Sequence, residues 1–261
     1  MGGYRGAQTL REGTFAVKTL EILPSWRSLL KRAGLSTFEA LWRVEGLPFK
    51  RKPDREILLL EVSGRKLFLK RYFRFGLWEF RCGAESEWWA ARELLREGFS
   101  VPEPVAFGIE RNLRPKRALS LFCEARGRRL EDLFREDPES FRGVLPVLIN
   151  TAARFHALGF SHQDFYLCHL FWDGERLTLI DLQRVRRARK PRARWIIKDL
   201  AELFYSARNV LGEGAEEFEA LFLEGYFREH PWLNTPSVLN KLEKKIRRIA
   251  AHDAKLKARA G

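Results

Sequence analysis

The sequence predicts an α+β fold of two lobes, in which a small antiparallel sheet with one main helix precedes a mostly helical lobe. Short apolar runs bounded by turn residues fill the first half of the 261-residue chain, and longer runs with apolar residues at helical spacing fill the second. Separation of strands from helices along a chain is typical of α+β architecture. The length exceeds that of a typical single domain and suits one unit of two lobes.

Three segments are predicted from these patterns. Residues 1–35 form an N-terminal extension with one amphipathic helix near residues 26–32. Residues 36–125 form the small lobe, and residues 126–261 form the large lobe, which ends in a basic helix. Residues 123–125, at the end of the last predicted strand, would link the lobes as a hinge.

The small lobe is predicted from five strand signals and one helix signal. The strands are expected at 41–45, 57–62, 67–70, a run entered through residues 101–104, and 119–124. Ser63 and Gly64 supply the turn between the second and third strands. Residues 84–97 predict the helix because their apolar residues recur at helical spacing and Gly98 closes the run.

The large lobe is predicted from helical patterns at residues 145–158, at 210–227 and in the tail at 237–261. The tail combines eight Lys and Arg residues with an apolar stripe made of Leu239, Leu242, Ile246 and Ile249. Such a helix either packs its stripe on the large lobe or lies on an anionic membrane surface, and the two are compatible if the charged face points outward.

The chemical signal lies in residues 162–181, where two carboxylates are joined by a short hairpin. Asp164 lies in a loop, the turn Asp173–Gly174 follows, and an apolar strand delivers Asp181. The run resembles the catalytic loop and metal-binding strand of protein kinases, with His169 where kinases carry a second metal ligand. The resemblance implies that Asp164 orients or accepts the proton of the acceptor hydroxyl and that Asp181 and His169 bind a metal ion.

A kinase also needs a strand lysine for the phosphates and a helix glutamate that holds the lysine. Lys70 ends a predicted strand, and Glu85 and Glu87 both lie near the start of the predicted helix. We favour Glu87 as the partner of Lys70 and keep Glu85 as the alternative. Residues 46–54 occupy the place of the phosphate-covering loop but contain one glycine, and their basic residues are either phosphate contacts or an exposed turn.

Four motifs extend the resemblance to one family. They lie at residues 162–169, which end in Tyr-x-Cys-His, and at residues 179–184, 194–195 and 198–207. These motifs are similar to those of the lipopolysaccharide kinase (Kdo/WaaP) family, whose members phosphorylate sugars of the lipopolysaccharide inner core. Gln163 and Gln183 depart from the family pattern, which carries Arg and His at these positions.

The resemblance implies an ATP-dependent kinase with a two-lobed protein-kinase-like fold that phosphorylates a heptose or Kdo hydroxyl of the inner core. Mg²⁺ would be the metal ion, with Mn²⁺ as the alternative. The acceptor would be the anionic inner core on lipid A, reached by a cytoplasmic protein bound peripherally to the cytoplasmic face of the inner membrane. His162, Lys198 and Asp199 would support the site. Kinases switched by phosphorylation carry Arg where Gln163 stands, so no such switch is expected.

The net charge of +14 indicates an anionic partner. Residues 184–198 contain eight Lys and Arg residues and no acid, and they follow Asp181, where kinases meet the acceptor. We predict that acidic groups of the acceptor are bound by Arg184, Arg186, Arg187 and Arg194, because Arg pairs bidentately with such groups. The alternative is a solvated loop in an Arg-rich chain. No nucleic-acid partner is expected.

Composition limits the other function classes. No apolar run approaches the ~18 residues that suggest a transmembrane helix. Charged residues interrupt the N-terminus, so no signal peptide is predicted, and three cysteines without paired spacing suit a reducing compartment. Two alternatives remain: an atypical kinase acting on proteins or metabolites, and a basic non-catalytic module on a kinase scaffold. Retention of Lys70, Glu87, Asp164 and Asp181 counts against the second.

Overall fold

The structure, a computed structural model, describes residues 17–76, 82–112 and 114–260. It confirms the α+β fold, with an antiparallel six-stranded sheet in the small lobe and a mostly helical large lobe. The strands of the small sheet are β1 (Val17–Ile22), β2 (Leu47–Arg51), β3 (Arg55–Val62), β4 (Arg65–Tyr72), β5 (Pro104–Arg111) and β6 (Pro115–Cys123). Their order across the sheet is β1-β5-β6-β4-β3-β2, so β1 and β2 are the edges.

The predicted hairpin between β3 and β4 is confirmed. Ser63 and Gly64 have φ angles of 51° and 72°, the left-handed values that a two-residue hairpin turn of type I′ requires. The strands pair from Arg55 opposite Tyr72 to Val62 opposite Arg65. This register places every second residue of each strand on the same face of the sheet.

The strand predicted at 41–45 is wrong, because residues 41–43 belong to helix α2 (Phe38–Arg43) and residues 44–45 are in no strand. Thr37 caps the helix, and its hydroxyl accepts a hydrogen bond from the backbone N–H of Ala40 at 3.1 Å. Phe38 and Leu41 are buried and lie three residues apart, which is helical spacing. The apolar run was too short to separate a strand from a helix by periodicity.

The helix predicted near residues 26–32 is present as α1 (Pro24–Arg32), but residues 17–35 do not stand apart from the small lobe. β1 pairs along its whole length with β5. Trp26 and Leu30 are buried in the core beneath the sheet. β1 carries mostly exposed residues, so its sequence lacks the apolar alternation that would reveal a strand.

Helices cover both faces of the small sheet. α1 and α2 pack on the face formed by Leu58, Leu60, Leu67 and Leu69. α3 (Gly83–Arg96) packs on the other face through Trp88, which stacks with Phe107 at a centroid distance of 6.0 Å. This second face looks into the cleft between the lobes.

The large lobe contains five helices within the described residues. They are α4 (Leu130–Glu136), α5 (Phe141–Ala157), α6 (Ala193–Leu211), α7 (Ala215–Glu229) and α8 (Pro236–Ala260). The single helix predicted at 210–227 is wrong at its start, because Gly212, with φ 56°, ends α6 and a short turn precedes α7. Leu242 and Ile246 of α8 are buried in the core and Ile249 packs against it, so most of the apolar stripe packs on the lobe, while Leu239 is exposed.

Five short strands in the described part of the large lobe lie at the side of the cleft that faces the small sheet, and this side is called the floor. They are β7 (Arg128–Arg129), β8 (Phe160–Ser161), β9 (Leu170–Trp172), β10 (Leu177–Leu179) and β11 (Arg186–Arg187). β8 pairs with β11, and this pairing brings the basic segment beside the loop that begins at His162. None of the described helices has the length and apolar character needed to cross a bilayer.

Candidate active site

Two short strands carry the acidic residues of the floor. Asp164 follows β8, His169 precedes β9, and Asp181 follows β10, which pairs with β9. One ligand atom from each of these three residues lies within 4.8 Å of the other two. The two carboxylates suit Mg²⁺ and Mn²⁺, which both favour oxygen ligands, and the imidazole is a less usual ligand for Mg²⁺. The residues present therefore fit a divalent cation.

The orientation of His169 suits a ligand. Its Nδ1 lies 2.8 Å from the carbonyl oxygen of Asp164, and a carbonyl can only accept, so Nδ1 donates. In the neutral ring the lone pair then resides on Nε2, which lies 3.8 Å from Asp181 Oδ2. Burial lowers the pKa of His169, but Cys168, the Asp164 carbonyl and Asp181 outweigh burial and raise it to about 9. A bound metal would displace the proton that this environment favours.

Asp181 has a left-handed backbone, with φ 57°. Burial raises the pKa of its carboxyl, but Lys70, His169, His162 and Arg55 together lower it below the ordinary value. Two of these groups lie close to the carboxylate: His169 Nε2 is 3.8 Å from Asp181 Oδ2, and Lys70 Nζ is 4.0 Å from Asp181 Oδ1. The carboxylate is therefore held ionised, the form that binds a cation.

Lys70 pairs with Glu87 and not with Glu85. The Lys70 Nζ lies 2.5 Å from Oε1 of the buried Glu87, and the hydroxyl of Ser120 donates to the second oxygen at 3.2 Å. Glu85 faces another way: it accepts from the backbone N–H of Cys82 at 3.1 Å and lies 2.6 Å from Arg111. The pairing favoured from the sequence is thus the one in the structure, with Lys70 inside β4.

The roof of the cleft is the face of the small sheet that carries Lys70, and it is apolar near residues 122–123. Phe68 lies two residues before Lys70 and therefore on the same face of β4. Leu59 pairs with Phe68 across the strands and Leu47 pairs with Leu59, which places both on this face. Phe49 packs edge-on against Phe68 at a centroid distance of 5.0 Å and is 64% exposed. Such an exposed apolar roof is suited to a planar ring.

The roof is basic at its other end, around Lys50, Lys52 and Lys70. A small cavity is lined by Lys50, Lys52, Arg55, Ile57, Lys70, Asp181 and Gln183. Burial and repulsion from Arg55 and Lys50 lower the pKa of Lys52. The segment at residues 46–54 therefore consists of β2 and a tight turn. Its side chains Lys50 and Lys52 line the same cavity as Asp181 of the floor.

The loop at 162–165 is braced from α6. Asp199, fully buried, accepts from the backbone N–H of His162 at 2.7 Å and of Gln163 at 2.8 Å. Lys198 donates to the carbonyl of Gln163 and to Glu202, and Glu202 accepts from the N–H of Phe165 at 3.1 Å. These contacts hold the backbone on both sides of Asp164.

His162 ties the loop to the metal-binding strand. It is buried, and its Nε2 donates to the carbonyl of Ile180 at 3.0 Å. Burial lowers the pKa of its ring, which keeps the side chain neutral. His162 therefore positions the residue that precedes Asp181 and does not face the cleft.

The four arginines predicted to bind the acceptor divide into groups. Arg184 and Arg186 line a cavity of about 480 Å³, and the Arg184 Nη1 lies 3.6 Å from Asp164 Oδ1. Arg194 lies over the ring of Trp195 at 5.8 Å. Arg187 pairs with carboxylates of α3, Glu93 at 3.2 Å and Glu97 at 2.6 Å, and does not line the cavity.

Two residues of the site had no predicted role. Glu202 braces the loop from one helical turn beyond Lys198, and Arg55 reaches the cavity from the start of β3. The spacing of Lys198 and Glu202, four residues on a helix, is a signal that could have found the first. Arg55 lies in a dense run of charges, where the sequence does not separate a site residue from a solvated one.

Comparisons with known proteins agree with this geometry. The model of the lipopolysaccharide kinase (Kdo/WaaP) family matches residues 39–222, more than half of the chain. The lipopolysaccharide core heptose(I) kinase WaaP of Pseudomonas aeruginosa is 30% identical over 223 residues, covering 75% of this chain and 82% of the relative. The enzyme of the same name from Escherichia coli K12 is 29% identical over 205 residues, covering 68% and 77%.

A solved structure supports the same relationship. The structure of WaaP in complex with acyl carrier protein matches with a TM-score of 0.69 and 27% identity, covering 88% of this chain and 98% of the other. The family model, the curated relatives and the structural match therefore agree on one assignment. The chain belongs to the lipopolysaccharide kinase (Kdo/WaaP) family of phosphotransferases.

Proposed function

We propose that this protein is an ATP-dependent kinase that phosphorylates a heptose hydroxyl of the lipopolysaccharide inner core. The observation that carries the proposal is the cluster of Asp164, His169 and Asp181 opposite the Lys70–Glu87 pair. Two of the relatives are named as heptose(I) kinases, which favours heptose over Kdo as the acceptor.

Each of these residues has a separate role in the proposed phosphoryl transfer. Asp181 and His169 would hold a divalent cation, Mg²⁺ or Mn²⁺, which supplies positive charge to the phosphate oxygens when bound. Lys70 contacts the phosphates, and Glu87 holds its ammonium group in place. Asp164 orients the acceptor hydroxyl and receives its proton as the new O–P bond forms and the bond between the γ-phosphorus and the bridging oxygen breaks.

The acceptor is proposed to enter through the 480 Å³ cavity beside Asp164. Among the described residues, its lining has no carboxylate side chain and consists of Ser86, Gln163, Gln183, Arg184, Val185, Arg186 and Lys198. Arg184 is 67% exposed and close to Asp164, so it can meet an acidic group of the sugar core next to the reacting hydroxyl. Because Arg187 is engaged with α3, we leave it out of this proposal.

We further propose that the protein works at the cytoplasmic face of the inner membrane. α8 packs Leu242 and Ile246 on the lobe and leaves many of its lysines and arginines exposed, as at Lys241, Lys244 and Arg248. An exposed basic face is attracted to anionic lipid headgroups. Sedimentation with anionic vesicles, compared with neutral vesicles, tests this part separately from catalysis.

The test of the function is transfer of labelled γ-phosphate from ATP to dephosphorylated inner-core lipopolysaccharide, with Mg²⁺ or Mn²⁺. A generic protein substrate and Asp164→Asn serve as controls. Label in the heptose, absent in the variant, is the expected result. Label in protein alone would replace the proposal with a protein kinase activity, and no label with either acceptor would contradict it.

A further inference from the structure

The β2–β3 hairpin stands where kinases place a glycine-rich loop, but its backbone is unsuited to cradle phosphates. Pro48 and Pro53 have no N–H group to donate. The N–H groups of Lys52 and Arg55 are used within the turn, each bonding the carbonyl of the other at 2.8 Å and 3.4 Å. The backbone at residues 48, 52, 53 and 55 therefore offers no free N–H group to a ligand.

The one glycine of the hairpin has a packing role. A Cβ at Gly46 would lie 2.5 Å from Leu60 Cδ2 and 2.9 Å from the carbonyl oxygen of Leu59. Gly46 is thus required by the close approach of β3. Its presence does not indicate close approach of a phosphate to the backbone.

The cationic side chains of the hairpin point into the cleft instead. Lys50 pairs with Ile57 and Ile57 pairs with Lys70, so all three lie in one row on the cleft face of the sheet. Two strand spacings separate the backbones of Lys50 and Lys70 by about 10 Å, and both side chains line the same cavity. Among the described residues, four cationic side chains and one carboxylate, that of Asp181, line this cavity.

Two of these cations, Lys50 and Lys52, have no carboxylate partner among the residues that the structure describes. Within the described residues, neither Lys50 nor Lys52 has a carboxylate oxygen within 4.0 Å, whereas Arg55 pairs with Asp54 at 2.9 Å. The turn is also fixed in place, because the Asp54 carbonyl accepts from the N–H groups of Phe73 at 3.1 Å and Arg74 at 3.4 Å. A fixed group of unneutralised cations above a metal site is suited to a polyphosphate.

We infer that Lys50 and Lys52 form a side-chain clamp for the triphosphate and replace the backbone amides of a glycine-rich loop. The inference rests on the proposed use of ATP and adds how the nucleotide is held. Recognition then depends on phosphate charge more than on the base. Inorganic tripolyphosphate with Mg²⁺ should therefore compete with ATP, and adenosine should bind weakly.

The test is a titration of the full-length protein with Mg-ATP, Mg-tripolyphosphate and adenosine, monitored by calorimetry. Lys52→Ala is expected to lower the affinity for ATP and for tripolyphosphate about tenfold each, because a charge-assisted contact is lost. The affinity for adenosine should not change. Lys52→Arg keeps the charge and should retain most of the affinity. Lys31→Ala is the matched control, since Lys31 is an exposed lysine on α1, on the opposite side of the sheet.

The double variant Lys50→Ala/Lys52→Ala should bind ATP and tripolyphosphate more weakly than either single variant. Its affinity for ATP should also depend less on salt concentration. Equal thermal melting of the variants excludes unfolding as the cause. Unchanged affinity for tripolyphosphate in the double variant would overturn the clamp even if the wild type phosphorylates heptose. Conversely, a wild type that binds Mg-ATP through these lysines but phosphorylates no sugar would leave the clamp intact and contradict the proposed acceptor.

Discussion

The floor and the roof of the cleft are held together by different forces. In the floor, Asp199 and Glu202 accept buried hydrogen bonds from backbone N–H groups of the loop around Asp164 and thereby restrict its conformation. In the roof, Phe49 is 64% exposed and Lys50 and Lys52 lack carboxylate partners among the described residues. The floor is therefore complete in the protein alone, whereas the roof carries apolar surface and charge that a ligand would cover.

This difference predicts where mutations act. A buried carboxylate that holds two backbone N–H groups cannot be removed without leaving those donors unpaired, so the floor should couple stability to activity. An exposed cation on an edge strand makes few contacts in the free protein, so the roof should affect ligand binding with little change in stability.

The largest effect is expected at Asp164. Asp164→Asn removes the group proposed to receive the proton, so the transfer rate should fall by about a thousandfold while ATP affinity changes little. Asp173→Asn is the matched control, because Asp173 lies in the exposed turn and accepts from the N–H groups of Glu175 and Arg176. A variant with a tenth or more of the wild-type rate would exclude Asp164 as the proton acceptor.

The floor should lose stability when Asp199 is replaced. Asp199→Ala leaves the buried N–H groups of His162 and Gln163 without their acceptor, so the free energy of unfolding should fall by about 3 kcal/mol. Lys50→Ala on the roof should change it by less than about 0.5 kcal/mol. Urea denaturation measures both, and equal losses would contradict the contrast between floor and roof.

The Lys70 pair can be tested with two neighbouring glutamates. Glu87→Gln removes the charge that holds the Lys70 ammonium, so the KM for ATP should rise about tenfold. Glu85→Gln should leave the KM for ATP nearly unchanged, since Glu85 contacts Cys82 and Arg111 instead. A larger rise of the KM for ATP in Glu85→Gln than in Glu87→Gln would show that Glu85 is the partner of Lys70.

Behind the roof, Glu39 links α2 to β6 and β1. Hydrogen bonds from Arg117 and Lys18 lower the pKa of Glu39 to about 2 from an ordinary value of 4.5. A lowered pKa means that the stabilisation is complete above pH 4.5 and is lost as the pH falls from 4.5 towards 2. The stability difference between wild type and Glu39→Gln should therefore shrink over this range, and a constant difference would exclude the ionised carboxylate as its source.

The smallest effect is expected from a mimic of phosphorylation. Gln163 cannot form the charged contact that kinases switched by phosphorylation use, and residues 184–194 contain no Ser, Thr or Tyr. Ala188→Asp should therefore change the transfer rate by no more than about twofold. A large gain in activity would show that the segment acts as a switch.

Much of the fold and of the candidate site could be predicted from local patterns. The hairpin at Ser63–Gly64 follows from turn chemistry, and the order of Lys70, Asp164 and Asp181 along the chain indicated the site before any contact was known. Residues with local signatures of this kind are predictable because neighbours in sequence determine their conformation.

The remaining features depend on contacts between distant segments. Glu85 and Glu87 are two residues apart on one helix, about 200° around its axis, so only the packing of α3 on the sheet selects Glu87. Arg187 is one of eight bases in its segment, and only the approach of α3 pairs it with Glu93 and Glu97. β1 lacks apolar alternation and is a strand because β5 offers it an unpaired edge. Local chemistry thus specified the residue types of the site, while long-range packing and pairing, which leave no local signature, chose their partners.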